Sequence, residues 1–177
     1  MRVIVCPHAD VADCIAAEAP ARLISLCSAE GPEPLAWTGG PQLILRFHDI
    51  EEPRPDFVAP DAAAIDRLLA FGADWREEGP LLVHCWFGIS RSTAAAFILL
   101  CAADPDRPET QIAQSLRDAA PEASPNRLMV ALADERLRRG GRMRQAIADI
   151  GRGRLASTGR PFVLPVNRSA VEARERR

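Results

Sequence analysis

Short, almost unbroken apolar runs alternate along this chain with longer stretches in which apolar residues return every three or four positions. The runs at 2–6 (Arg-Val-Ile-Val-Cys), 22–27 (Arg-Leu-Ile-Ser-Leu-Cys), 42–47 and 81–84 (Leu-Leu-Val-His) are strand-length and aliphatic, which predicts β-strands. The last has no polar alternation, as in a central strand buried on both faces. Helical spacing appears over 10–19, ended by Pro20, and over 62–75, where Ile65, Leu68, Leu69 and Gly72 share a face and Asp61 stands at the N-cap. From Ser92 to Ala103 the chain is almost wholly apolar, which predicts a helix inside the domain. Pro105 and Pro108 stop it; further helices are expected near 109–119, 125–139 and 142–150, with Gly140-Gly141 and Gly151 between and after them.

Strands alternating with helices first, and helices alone afterwards, predict an α/β fold: three α/β/α layers around a small, mostly parallel sheet of four to five strands. A length of 177 residues suits one domain, assigned to residues 1–152, with 153–177 expected as a basic, loosely ordered tail.

Composition narrows the class. The chain is 47% hydrophobic and 26% charged, and no apolar stretch approaches the ~20 residues of a membrane helix. An acidic, proline-containing segment follows Met1–Cys6 where a secretory leader would place a long apolar core, so a cytoplasmic protein is expected. The five cysteines, Cys6, Cys14, Cys27, Cys85 and Cys101, are odd in number and lack CxxC spacing, which argues for reduced thiols over a disulfide framework or zinc cluster. Sketches of a metal site from His8 with Cys6 and Cys14, or from His48 with Asp49, match no standard spacing, so neither metal nor cofactor is expected. Residues 1–126 carry 9 Arg against 19 acids, and 127–177 carry 13 Arg against 5. This basic end is read as a solvated surface rather than a contact for nucleic acid or membrane.

The candidate chemistry lies where the fourth strand meets the apolar helix, in His84-Cys85-Trp86-Phe87-Gly88-Ile89-Ser90-Arg91-Ser92. A short loop leading directly into a helix converges backbone N–H groups, and the unpaired N–H groups and dipole of the helix N-terminus add to the attraction for an anion. The same positive ring favours Cys85 as an anionic nucleophile. Five residues between Cys85 and Arg91 let the loop turn back, so that the guanidinium forks two oxygens of a bound phosphate. Gly88 suits tight curvature, His84 can orient loop carbonyls, and Ser92 is placed to hydrogen-bond the Cys85 sulfur. Residues 86–90 and Arg91 would form the phosphate cradle between the central strand and the apolar helix.

His-Cys-x5-Arg-Ser resembles the signature of the protein tyrosine phosphatase superfamily, and Ser124-Pro125-Asn126 is similar to the Ser-Pro-Asn that opens a late helix in its dual-specificity branch. The resemblance spans about residues 22–137. It implies a cysteine-dependent phosphatase acting on phosphotyrosine, with phosphoserine or phosphothreonine as further targets, in proteins or peptides. Cys85 would be the nucleophile, Arg91 the phosphate clamp, Ser92 an aid to expulsion of the sulfur, and His84 and Asn126 supporting residues. The family takes its general acid from an upstream Asp. Asp49, at the end of the third strand, is favoured by position, Asp56 is the alternative, and Asp61 is explained as a helix cap.

Other readings are a sulfurtransferase or arsenate reductase, a catalytically silent phospho-binding module, and a phosphatase of non-protein esters. The loop lacks the basic residues that extra phosphates would call for, which argues against phosphoinositides. Trp86, Phe87 and Trp37 are candidates for lining a cleft for an aromatic ring.

Overall fold

The computed structural model describes residues 1–75 and 79–166. Its centre is a five-stranded sheet in the order β3-β2-β4-β1-β5. The strands are β1 (Arg2–Pro7), β2 (Arg22–Cys27), β3 (Gln42–Arg46), β4 (Leu81–Cys85) and β5 (Phe162–Pro165). The first four run parallel, and β5 runs antiparallel along the free edge of β1, with Val163 opposite Ile4. This is the expected mostly parallel α/β arrangement. The central strand β4 lies between β1 and β2, and all five of its residues are buried.

Pleating sends alternate residues of β4 to opposite faces, and the two faces are covered unequally. Leu81, Val83 and Cys85 join Val3, Val5, Ile24 and Leu26 in the larger core. That core is closed by α2 (Ala62–Ala73), α3 (Arg91–Ala103), α4 (Glu109–Ala119), α5 (Arg127–Arg136) and α6 (Arg142–Ile150). On the other face Ile4, Leu23 and Leu82 form a small cluster with Val11 and Cys14 of α1 (Val11–Glu18), and Trp37 packs against it. Trp37 therefore belongs to the packing of the α1 face.

The buried helix α3 explains the placement of the loop before it. Every residue from Arg91 to Cys101 is buried, so this helix has no solvent face and lies directly against β1 and β4. Loop 86–90 is thus held between two buried elements. Elsewhere the predicted boundaries lie within a few residues of the observed ones, and the Asp61 side chain accepts from the Ala64 N–H at the start of α2.

The expected tail at 153–177 requires correction. Residues 162–165 are the fifth strand, and Phe162, Leu164 and Val166 are buried. A four-residue strand of alternating exposure carries too short a pattern to stand out from a loop. The rest of the expected tail, 167–177, lies outside the described residues. Among the described residues no helix is long and apolar enough to cross a membrane.

Candidate active site

Strand β4 carries Cys85 to the carboxyl edge of the sheet, and because Leu81, Val83 and Cys85 share a face, its sulfur turns toward α3. There Cys85 Sγ lies 3.1 Å from Ser92 Oγ, in the first turn of the helix. His84 points to the opposite face, where its Nε2 pairs with Ser25 Oγ of β2 at 2.8 Å. The expectation that His84 orients loop carbonyls is not met: its ring is tied to a neighbouring strand.

Four of the five loop carbonyls are held by other parts of the chain. Trp86 O accepts from the His8 N–H, Phe87 O from the Gly159 N–H, Ile89 O from the Ser124 N–H and Ser90 O from the Asn126 N–H. The Thr93 hydroxyl adds bonds to the carbonyls of Ile89 and Ser90, and the Thr158 hydroxyl one to Phe87 O. Among the described residues the amides of 86–90 donate to no acceptor. A loop whose carbonyls are bound by its scaffold and whose N–H groups are free is a cradle for an anion. Gly88 makes the curvature possible: its φ is +68°, and a Cβ there would lie 2.7 Å from the backbone N of Pro7.

Arg91 closes the ring. Buried at 4% exposure, it donates through Nη1 to Phe47 O at 3.1 Å and to Ser28 Oγ at 3.4 Å. Its Nε has no hydrogen-bond partner and stands 3.9 Å from Asp49 Oδ2. The other Asp49 oxygen, Oδ1, accepts from the Ser90 hydroxyl at 2.7 Å and from Asn126 Nδ2 at 2.9 Å. Asn126 also caps α5, its Oδ1 accepting from the Met129 N–H, so one side chain joins the acid loop to a helix start. The acid loop is closed at its base, since the His48 N–H donates to Val58 O and His48 Nδ1 accepts from the Val58 N–H. Asp56 sits on the exposed outer part of that loop with φ 64°, whereas Asp49 faces Arg91.

No family model matches the chain, and no curated protein matches it. Solved structures do. Human DUSP28 superposes with a TM-score of 0.59 at 20% identity, over 77% of this chain and 92% of that one. DUSP15 gives 0.57 at 18% identity, over 88% and 94% respectively. The fold is that of the dual-specificity phosphatases. PTPMT1 shares it, with a TM-score of 0.56 at 14% identity over 83% of this chain and 92% of that chain.

Within that fold Trp86 and Phe87 stand half-exposed beside Cys85, and the Trp86 ring is stacked on His8 with centroids 5.1 Å apart. Burial pushes His84 down to about 4, and the charges of His8 and Arg91 act in the same direction, so the ring is neutral at physiological pH. Burial also pushes the Cys6, Cys14, Cys27 and Cys101 thiols up, which favours their protonated form. Several contacts had no signal in the sequence: the Ser90–Asp49 bond, the Ser28 contact of Arg91, and the capture of Phe87 O from 158–159. Each joins residues far apart in the chain that carry no spacing motif.

Proposed function

We propose that this chain is a cysteine-dependent phosphatase that hydrolyses phosphate monoesters through a phosphocysteine intermediate, with phosphotyrosine on proteins or peptides as the favoured substrate. The observation that carries this reading is the buried Arg91 Nε, which has no hydrogen-bond partner beside a loop whose amides are also free. A buried cation donor without a hydrogen bond is costly, and a phosphate dianion supplies the missing acceptor. In the reaction the Cys85 sulfur attacks phosphorus in line as the ester P–O bond breaks, and Asp49 gives its proton to the departing oxygen. Arg91 and the loop amides take up charge on the equatorial oxygens. Water then attacks the phosphocysteine, Asp49 takes its proton, and the Ser92 hydroxyl, 3.1 Å away, hydrogen-bonds the sulfur as it leaves. The exposed rings of Trp86 and Phe87 beside the nucleophile support an aryl ester.

Turnover of aryl phosphates tests the reading. Cys85→Ser should abolish turnover while orthovanadate still binds; turnover that persists would rule out the mechanism. Asp49→Asn should lower kcat by about 100-fold on phenyl phosphate and less on p-nitrophenyl phosphate, whose oxygen leaves without help. If Asp56→Asn shows that leaving-group dependence instead, the acid is Asp56.

A further inference from the structure

The first strand and turn of the chain precede residues 22–137, over which the sequence resembles the phosphatase family, and yet they reach Cys85. β1 runs beside β4 with Pro7 opposite Cys85, so the next residue, His8, comes level with loop 86–90. The two backbones are packed together there, since a Cβ on Gly88 would stand 2.7 Å from Pro7 N. His8 opens a single 3-10 turn, His8–Asp10, and holds the residue after Cys85 at two points. Its N–H donates to Trp86 O at 3.2 Å, and its imidazole lies flat on the Trp86 indole, with ring planes 9° apart and centroids 5.1 Å apart. The His84 ring, itself fixed by Ser25, stands 5.7 Å from the same imidazole.

Trp86 is half-exposed, and an indole facing solvent from a loop has several staggered rotamers open to it unless a neighbour selects one. His8, Trp86, Pro32 and Pro34 line one slot together with Cys85 and Arg91. Its free volume is about 30 Å³, room for little more than a water, so the tilt of the indole decides what can enter beside the sulfur. We infer that His8 is a positioning residue for substrate selection: its stacked imidazole fixes the Trp86 indole in the wall of the slot, and this fixed ring gives the site a preference for flat aryl groups on the phosphate. The inference rests on the phosphatase reading and extends it to a part of the chain that carries no signature. An aromatic face gains from a second ring in stacked or edge contact, which a small alkyl group does not reproduce. A ring already held in place also avoids the ordering cost that a free side chain incurs on binding. An aliphatic side chain at position 8 would keep the backbone bond to Trp86 O and lose the flat surface on which the indole rests.

The test separates the ring from the reaction. Phenylphosphonate and methylphosphonate mimic the phosphate, differ in their carbon group and resist hydrolysis at the P–C bond. The ratio of their competitive Ki values against p-nitrophenyl phosphate turnover, methyl over phenyl, therefore reads the aryl preference directly. His8→Leu keeps the N–H that holds Trp86 O and removes the flat ring, and the ratio should fall by about twofold to tenfold. His8→Phe restores a ring that can stack and should retain the ratio of the unaltered protein. In Trp86→Ala the ratio should already be low, and adding His8→Leu should lower it no further, because His8 acts through Trp86. A ratio near one in the unaltered protein, no loss in His8→Leu or Trp86→Ala, an equal loss in His8→Phe, or a further loss on top of Trp86→Ala would overturn the role of His8 and leave the phosphatase reading standing. Absence of p-nitrophenyl phosphate turnover in the unaltered protein would overturn both.

Discussion

At the scale of single residues, His84 links the chemistry to the stability of the fold. It is fully buried, pairs with Ser25, and is held down to about 4. In the unfolded chain the same ring takes a proton near pH 6.5, so between 6.5 and 4 the unfolded state binds a proton that the folded state does not. Stability is therefore full above about pH 6.5 and falls on acidification, by about 2–3 kcal/mol at pH 4.5 from this one group. Urea unfolding at pH 7.5 and 4.5 measures this, and in His84→Asn the acid-induced loss should shrink by that amount. The grouping of Cys85, Gly88, Arg91 and Ser92 at the candidate site was legible because they sit within eight positions, where chain geometry alone restricts their arrangement. Asp49 was legible only as the end of a strand, and its contacts with Ser90 and Asn126 depend on tertiary packing. The role given to His84 failed because the sequence does not say which face of a buried strand a histidine takes.

At the scale of elements, strands and helices followed from local pattern, since β4 and α3 are mostly apolar and Asp61 caps α2. The segment between α6 and β5 did not, because it is held by backbone contacts that leave no trace in side-chain periodicity. It nevertheless reaches loop 86–90. The Gly159 N–H donates to Phe87 O at 2.8 Å, the Gly153 N–H to Ser124 Oγ, and the Arg154 N–H to Pro121 O. At the base of this segment Arg117 donates to the carbonyls of Pro121, Ala123 and Gly151, binding the 120–124 turn to the end of α6. A Cβ on Gly159 would lie 2.8 Å from Gly88 O, so Gly159→Ala must displace either the segment or the loop. Because a shift of about 1 Å in a reacting geometry can cost ~100-fold, we expect a fall in kcat of tenfold or more and weaker orthovanadate inhibition. Thermal unfolding should change little, which would separate a positioning effect from loss of fold.

At the scale of the whole molecule, the sheet has one parallel body and one antiparallel edge. β5 covers β1 with Phe162 and Leu164, and Val166 follows into the core. If this stretch were the loose end that the sequence suggested, its side chains would contribute nothing to stability. Leu164 is 2% exposed, and Leu164→Ala should cost about 2–4 kcal/mol, read as a lower urea midpoint with an unchanged slope. The expected three layers are present but unequal, with one helix on the β2–β1 face opposite the other five. Single-sequence patterning gives each element's type and leaves open how many helices share a side, because an apolar stripe does not say which face of the sheet it meets.

Four of the five carbonyls of loop 86–90 are bound by residues 8, 124, 126 and 159, which between them span most of the chain. During synthesis, the ribosome completes the entire Cys-x5-Arg motif long before it adds Gly159. A nascent chain that has emerged only as far as α5 carries every residue of the motif while one wall of its loop is still missing. The full set of partners for this loop thus arrives late in translation, and a truncated product that retains the motif lacks the N–H that holds Phe87 O.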